Sequence, residues 1–398
     1  MSVTCTHLEQ IQDVTPHTSG CEECLQTGDS WVHLRLCLSC GHVGCCDQSK
    51  NKHATKHFHA TEHPLIRSDE PGVLAVVLRR RGVDGAGVTV LDVWPEIPYE
   101  GWKDTKDTLH MYTQVIGKLR LALSPPEPQW AHTALYVTAR GLTTSPVPYE
   151  DRVFQVDFDF VDHALSIAAS DGRTYCISLV PRSVADFYAE VMSALRSLGI
   201  EVTISIVPSE VADPIPFPED DDHSSYDPGA VGRFWRALVQ VDKVLKVHRG
   251  SFLGRSSPVN FFWGTFDLAY TRYSGRPAEP PPGSGLIYRR SANAEQICAG
   301  FWPGDERVTR PAFFSYTYPK PEGLEGAGIL PSTASWSDEI GEFLLPYEDV
   351  RTAAVPAEDL ASFFESTYEA GAALGGWERA ALEEKLTLGF TGSKGGRS

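Results

Sequence analysis

Residues 37–46, CLSCGHVGCC, place four thiols and an imidazole in ten positions. A second C-x-x-C pair, Cys21 and Cys24, precedes them, and His53, His57 and His63 follow. The turn in a C-x-x-C pair aims two sulfurs at one ion, and zinc then takes two further ligands to complete a tetrahedron. Cys21, Cys24, Cys37, Cys40, Cys45, His53, His57 and His63 are eight donors, enough for two closed Cys3His or Cys2His2 sites. Seven of the nine cysteines lie between positions 5 and 46, and eight of the thirteen histidines lie by position 63. A disulfide framework would leave those histidines unexplained, and a reducing cytoplasm would not keep the bridges. By spacing alone His53 and His57, at i and i+4, could reach one ion from a single helix face. Cys5 and His7 form a further C-x-H pair.

The elements that must position these residues divide the chain into parts. The Cys/His-rich unit spans 1–69, a connector 70–91, a larger domain 92–385 and a frayed tail 386–398. Residues 1–68 carry five Lys+Arg against seven Asp+Glu, a small share of the net charge of −17. Neither part offers the basic surface that phosphate-backbone binding requires, so nucleic acid is not expected as a partner. No apolar run is long enough to span a membrane. The start has no signal-peptide pattern, and the chain is read as soluble and cytoplasmic.

In the larger domain, Trp102, Leu109, Tyr112, Ile116, Leu119 and Leu123 recur at helical steps and predict a helix over 99–123. Further helices are expected over 183–198, with Ser183 as N-cap, and over about 229–248 and 357–384. ALYVTARGL, FQVDFDFVDHALSIAAS, TYCISLV, EVTISIVP, NFFWGTFDLAYTRY and PAFFSYTYP read as strands. In the second of these Phe154, Val156 and Phe158 alternate with Gln155 and Asp157, the period of a half-buried antiparallel strand. The expected fold class is therefore α+β: a small zinc finger, cross-braced if the family resemblance given below holds, then a mixed, mainly antiparallel domain of sheet and helix.

The larger domain has no P-loop, G-x-S-x-G or H-E-x-x-H motif. Its candidate ligand-binding residues are polar groups among aromatics. Asn260, Trp263, Asp267 and Arg272 are placed in one predicted strand, with Arg255 before it, Trp302 beyond it and Arg140 at another strand end. Arg255, Arg140 or His110 could orient an anionic or polar ligand in an aromatic pocket. The plainer expectation for His110, Gln114 and Lys118, spaced at i+4, is a solvated helix face.

GCEECLQTGDSWVHLRLCLSCGHVGCCDQSKNKHATKHFHATEHPLI resembles the UBP-type zinc finger of ubiquitin hydrolases. It carries C-x-x-C, a Trp seven residues on, C-x-x-C-G-x-V-x-C and H-x3-H-x5-H. The resemblance covers residues 3–69 and implies an interleaved arrangement. Cys21, Cys24, Cys45 and His53 would hold one zinc, and Cys37, Cys40, His57 and His63 the other. Family members use a C-x-H pair like Cys5 and His7 for a third zinc, completed by ligands after the last His. Residues 64–175 contain no cysteine, which leaves Cys46, His33, His42 and His59 as spare donors, or the pair without metal. Trp31 matches a Trp that walls the family's pocket for the ubiquitin tail. Where binders carry an Arg, this chain has Asp47, and the segment that closes the pocket is replaced, so ubiquitin is not the expected partner.

Residues 92–385 resemble a bacterial domain family of unknown function, the DUF5996 type, through WPEIPYEGWKDTKDTLHMYTQVIGKLRLAL, LYVTARGLTTSPVPY, FDFVDHAL, RSVADFYAEVM, SSPVNFFWGTFDLAYTRYSGR and AGFWPG. That likeness implies no activity. The expected function is a zinc-binding, non-enzymatic interaction or accessory protein with a protein or peptide partner. The alternative is an enzyme or small-ligand-binding protein with its site in the larger domain.

Overall fold

The structure, a computed structural model, describes residues 14–31, 34–45, 49–61, 63, 65–68, 76–77 and 93–384. Cys5, His7, His33, Cys46, Asp47, most of the 70–91 connector and the tail lie outside the described residues. The chain divides into two compact units, Met1–Thr89 and Val90–Ser398.

The first unit has helix α1 (Glu22–Thr27), strands β1 (Leu34–Cys37) and β2 (Val43–Cys45), helix α2 (His53–Thr61), and strands β3 (Leu65–Ser68) and β4 (Val76–Val77). The strands form an antiparallel sheet in the order β2-β1-β3-β4. Two glycines set its geometry. Gly41 takes φ +83, which lets the chain double back after the second knuckle, and a Cβ there would lie 2.5 Å from Thr15 O. A Cβ on Gly44 would lie 2.5 Å from Ala54 N, so β2 approaches α2 closely enough to bring Cys45 to His53.

In the second unit, α3 (Tyr99–Leu123) and α4 (Val184–Ser197) match the helical periodicities, and the Ser183 side chain accepts from Asp186 N–H as an N-cap. α5 (Pro228–Gly250), α6 (Leu286–Ser291), α7 (Tyr347–Arg351), α8 (Pro356–Leu374) and α9 (Arg379–Leu382) complete the helices. The helix expected over 357–384 is thus two: Gly376 adopts φ +61 and ends α8 before Trp377.

One antiparallel sheet holds β5 (Tyr136–Val137), β6 (Gly141–Thr143), β7 (Val147–Tyr149), β8 (Arg152–Asp159), β9 (Ala164–Ala169) and β10 (Thr174–Ser178). Its order is β10-β9-β8-β6-β5, with β7 also on β8. Phe154, Val156 and Phe158 are buried along β8, as the alternation requires. A second antiparallel sheet runs β11 (Asn260–Phe262), β12 (Asp267–Pro277), β13 (Ala294–Trp302), β14 (Ala312–Tyr318), β16 (Glu342–Pro346), β15 (Ser335–Ser337). Small Cys/His-rich unit followed by antiparallel sheets with helices: the fold is α+β.

One strand expectation fails outright and three prove to be two strands each: ALYVTARGL holds β5 and β6, and FQVDFDFVDHALSIAAS holds β8 and β9. EVTISIVP pairs with no strand among the described residues; only its Ile204 and Pro208 are buried, too little to sit inside a sheet. NFFWGTFDLAYTRY is a hairpin, not one strand, because the chain turns at Trp263–Gly264–Thr265–Phe266, with Phe266 at φ 59. Among the described residues, no helix is long and apolar enough to cross a membrane.

Candidate metal centre and the sheet-face residues

In the first unit, Cys21 caps α1, Cys24 lies within it, Cys45 ends β2 and His53 starts α2. Their ligand atoms all lie within 4.8 Å of one another. Cys37 ends β1, Cys40 sits in the following turn, His57 is one turn along α2 and His63 follows that helix; these four form a second set of the same kind. One helix therefore serves both sets, and His53 and His57 face different ones although i and i+4 spacing would have allowed a shared ion. Among the described residues, α1, β1, β2 and α2 each supply a donor to one set or the other.

The geometry tests whether a metal fits. His53 Nδ1 lies 3.2 Å from Cys21 Sγ, 3.4 Å from Cys24 Sγ and 3.5 Å from Cys45 Sγ. One ring nitrogen has one proton or one lone pair, so it cannot bond three sulfurs at once. Metal–sulfur and metal–nitrogen bonds of about 2.3 and 2.0 Å in a tetrahedron put sulfur–nitrogen edges at roughly 3.6 Å. The second set fits equally: Cys37 Sγ to His63 Nδ1 is 3.7 Å and Cys40 Sγ to His57 Nε2 is 3.4 Å. Burial pushes the Cys21 thiol up to about 12 and raises that of Cys40, so these groups would need a bound cation to become thiolates. Burial, with His42 and His63 nearby, holds His57 down at about 4, leaving its ring neutral and able to ligate.

A second ring of groups orients the donors. Asn51 Nδ2 donates to Asp29 Oδ2 at 2.9 Å and to Cys24 Sγ at 3.6 Å, and His53 N–H donates to Cys45 Sγ at 3.3 Å. Glu23 Oε1 lies 2.9 Å from His42 Nε2, and Val43 N–H donates to Glu22 Oε1 at 3.0 Å. Of the spare donors, His42 thus has a bond of its own. Trp31 packs with Leu34 against Cys21, Cys24 and Cys45, its ring lying over Gly20. Glu23 and Asn51 were not singled out from sequence, and His42 was named there only as a spare donor.

The second unit separates the residues grouped from sequence. Asn260, Asp267 and Trp302 share one face of the second sheet, by the register Asn260–Ala269, Phe262–Asp267 and Leu268–Phe301. Trp263 turns to the opposite side, where its Nε1 donates to Thr133 O at 2.8 Å and its ring meets Gly117 of α3. Arg272 is 2% exposed, its guanidinium stacked 4.1 Å from the Tyr368 ring and 5.1 Å from that of Phe252. Arg255 lies 4.2 Å over Tyr273, and Arg140 pairs on the surface with Asp159 at 2.5 Å and Asp162 at 2.6 Å. These cations do not converge on one pocket.

The i+4 stripe on α3 is not a solvated face. Gln114 is fully buried and bonds Ser209 O, and Lys118 donates to Ser209 Oγ at 2.9 Å while lying 5.5 Å from the Trp263 ring. Burial lowers Lys118 to about 8. His110 Nε2 meets Trp263 O and Gly264 O at 2.9 and 3.0 Å, and burial lowers it to about 4. Amphipathic spacing marks a face of the helix without saying what covers it; here the 208–210 loop and the β11–β12 turn do.

No curated protein matches the chain. Part of it is similar to protein RPA1320 of Rhodopseudomonas palustris, whose structure was solved in solution by NMR. The identity is 49%, over 20% of this chain and 85% of that one, with a TM-score of 0.17. Residues 21–72 match the zinc finger in ubiquitin-hydrolases and other proteins. Residues 94–384, well over half of the chain, match the family of unknown function DUF5996, and the chain belongs to that family, with a UBP-type zinc finger ahead of its domain.

Proposed function

We propose that the first unit binds two zinc ions as structural staples, one at Cys21, Cys24, Cys45 and His53 and the other at Cys37, Cys40, His57 and His63. The observation that carries this is the approach of three sulfurs to the single nitrogen His53 Nδ1. Four protein ligands close each tetrahedron, so the ions have no open position for substrate and supply folding energy rather than catalysis. The protein then acts as a non-enzymatic interaction or accessory protein, its finger presenting a zinc-stapled surface to a protein or peptide partner other than a free ubiquitin tail.

Cobalt substitution tests the donor sets. Titrating metal-free protein with Co(II) should give thiolate-to-cobalt absorption that saturates at two equivalents, with the visible bands of tetrahedral coordination. Cys40→Ser should weaken that absorption and lower the saturation point. Octahedral spectra, or no thiolate band, would refute the assignment.

A further inference from the structure

Arg233 and Arg236 stand one turn apart on α5, and both line a cleft of about 390 Å3. Its other wall is the β8–β9 turn, with Phe160 and His163, and the Trp235 ring closes one side. That volume lies in the roughly 300–1,000 Å3 range of small-molecule clefts. Among the described residues, neither guanidinium has a hydrogen-bond or ion-pair partner, and Arg236 Nε is buried without an acceptor. Elsewhere Arg140, Arg152, Arg276 and Arg379 each reach a carboxylate. A chain with 52 Asp+Glu against 35 Lys+Arg has carboxylates to spare. A buried charged donor without an acceptor costs stability, so its retention points to a ligand that supplies one.

A smaller cleft in the same unit, about 130 Å3, shows the ordinary alternative. There Lys246 pairs with Asp242 at 2.7 Å, and Arg249 donates to Ser257 O at 2.7 Å. The Arg233–Arg236 cleft has no carboxylate in its lining. The acids around it are engaged: Asp227 Oδ1 accepts from Gly229 N–H at 2.8 Å, and Asp159 and Asp162 hold Arg140.

The cleft is also kept open. A Cβ on Gly232 would meet only Arg236 Nη1, at 3.6 Å. Glycine is a poor residue for a helix interior, so α5 gives up local stability where a side chain would fill the floor. Across the cleft, His163 Nδ1 lies 3.0 Å from the hydroxyl of buried Tyr226. Nδ1 is the acceptor within reach of that hydroxyl hydrogen, which leaves the imidazole proton on Nε2 as a further donor. Trp235 Nε1 donates to Thr138 O at 3.2 Å, which fixes the indole and leaves its ring to apolar contact.

We propose that this cleft binds a small organic oxyanion, its carboxylate or phosphate head shared between Arg233 and Arg236 and its flat body against Trp235. Residues three apart on a helix have Cβ atoms about 5–6 Å from one another, so both side chains can reach one head group. The planar fork of a guanidinium matches two oxygens of a carboxylate or a phosphate.

Calorimetric titration of the full chain with sodium benzoate and with phenyl phosphate at neutral pH tests this. At least one should bind saturably, and the tighter of the two names the head group. Benzyl alcohol, which keeps the ring without the charge, should give no saturable heat. Arg233→Gln and Arg236→Gln should each weaken binding by about tenfold or more, as loss of a charge-assisted bond implies, with the cooperative melt unchanged. Absence of saturable binding of either anion by a normally melting protein would overturn the proposal. So would unchanged affinity in both variants, benzyl alcohol matching the anions, or inorganic phosphate binding as tightly as phenyl phosphate.

Discussion

The His42 ring stacks on His57 with centroids 4.0 Å apart and planes 12° from parallel, while its Nε2 lies 2.9 Å from Glu23 Oε1. His57 belongs to the second Cys/His set, and Glu23 lies beside Cys21 and His53 of the first. One unligated imidazole therefore ties the two candidate ion sites together.

That tie predicts a measurable coupling. His42→Ala removes the ring that orients His57 and the partner of Glu23, without removing a ligand. The zinc affinity of the second site should fall by about 10–100-fold, the usual cost of losing an orienting partner. Competition against a chromophoric chelator measures it. Unchanged affinity would make the stack incidental.

Metal and folding should be linked in the first unit alone. Cys21→Ser or Cys40→Ser should unfold that unit, since its few short elements bury little surface without the ions. The second unit has its own core around Phe158, Phe234 and Phe261, so a fragment beginning at Leu91 should be soluble and melt cooperatively. Calorimetry with and without chelator checks this. One chelator-sensitive transition for the full chain would mean the two units fold as one.

Stability should respond to pH through Asp267. Its folded carboxyl is pushed up to about 7, first by burial and then by the charge of Glu210. An unfolded Asp titrates near 3.9. Because the folded value is raised, the stability this group contributes is present below the unfolded value and lost as pH rises through about 4 to 7. Asp267→Asn, free of that ionisation cost, should stabilise the second unit at pH 8 by on the order of 2–4 kcal/mol and change little at pH 4. Melting curves at the two pH values decide it; equal effects at both would contradict the assigned burial.

The finger should not bind a free Gly-Gly tail. Family binders grip the tail carboxylate with an Arg where this chain has Asp47, and reversing such a charge typically costs about 2–5 kcal/mol. At roughly 1.4 kcal/mol per tenfold, a micromolar interaction moves toward millimolar. Titration with a peptide ending in Leu-Arg-Gly-Gly should show no heat at ordinary concentrations, and micromolar binding would show that another residue grips the tail.

What could be read without the structure follows physical lines. The Cys/His pattern was legible because ligand chemistry permits few residue types and short knuckle spacings. The interleaving was not: His53 and His57 at i and i+4 left a shared ion open until the family resemblance was added. In the larger domain, the 99–123 helix was legible from its apolar period, and β8 from its alternation. The grouping of Asn260 and Asp267 with Trp263 and Arg272 failed because the four-residue turn at 263–266 reverses the chain. Strand parity then sends Asp267 to one face and Arg272 to the other.

The central claim, two zinc ions held by eight named donors, is tested most directly by native mass spectrometry of the freshly purified full chain. The spectrum should show two zinc ions per chain, with both lost on acid denaturation and in Cys21→Ser, which unfolds the first unit. Fewer than two in the unmodified protein would contradict the claim.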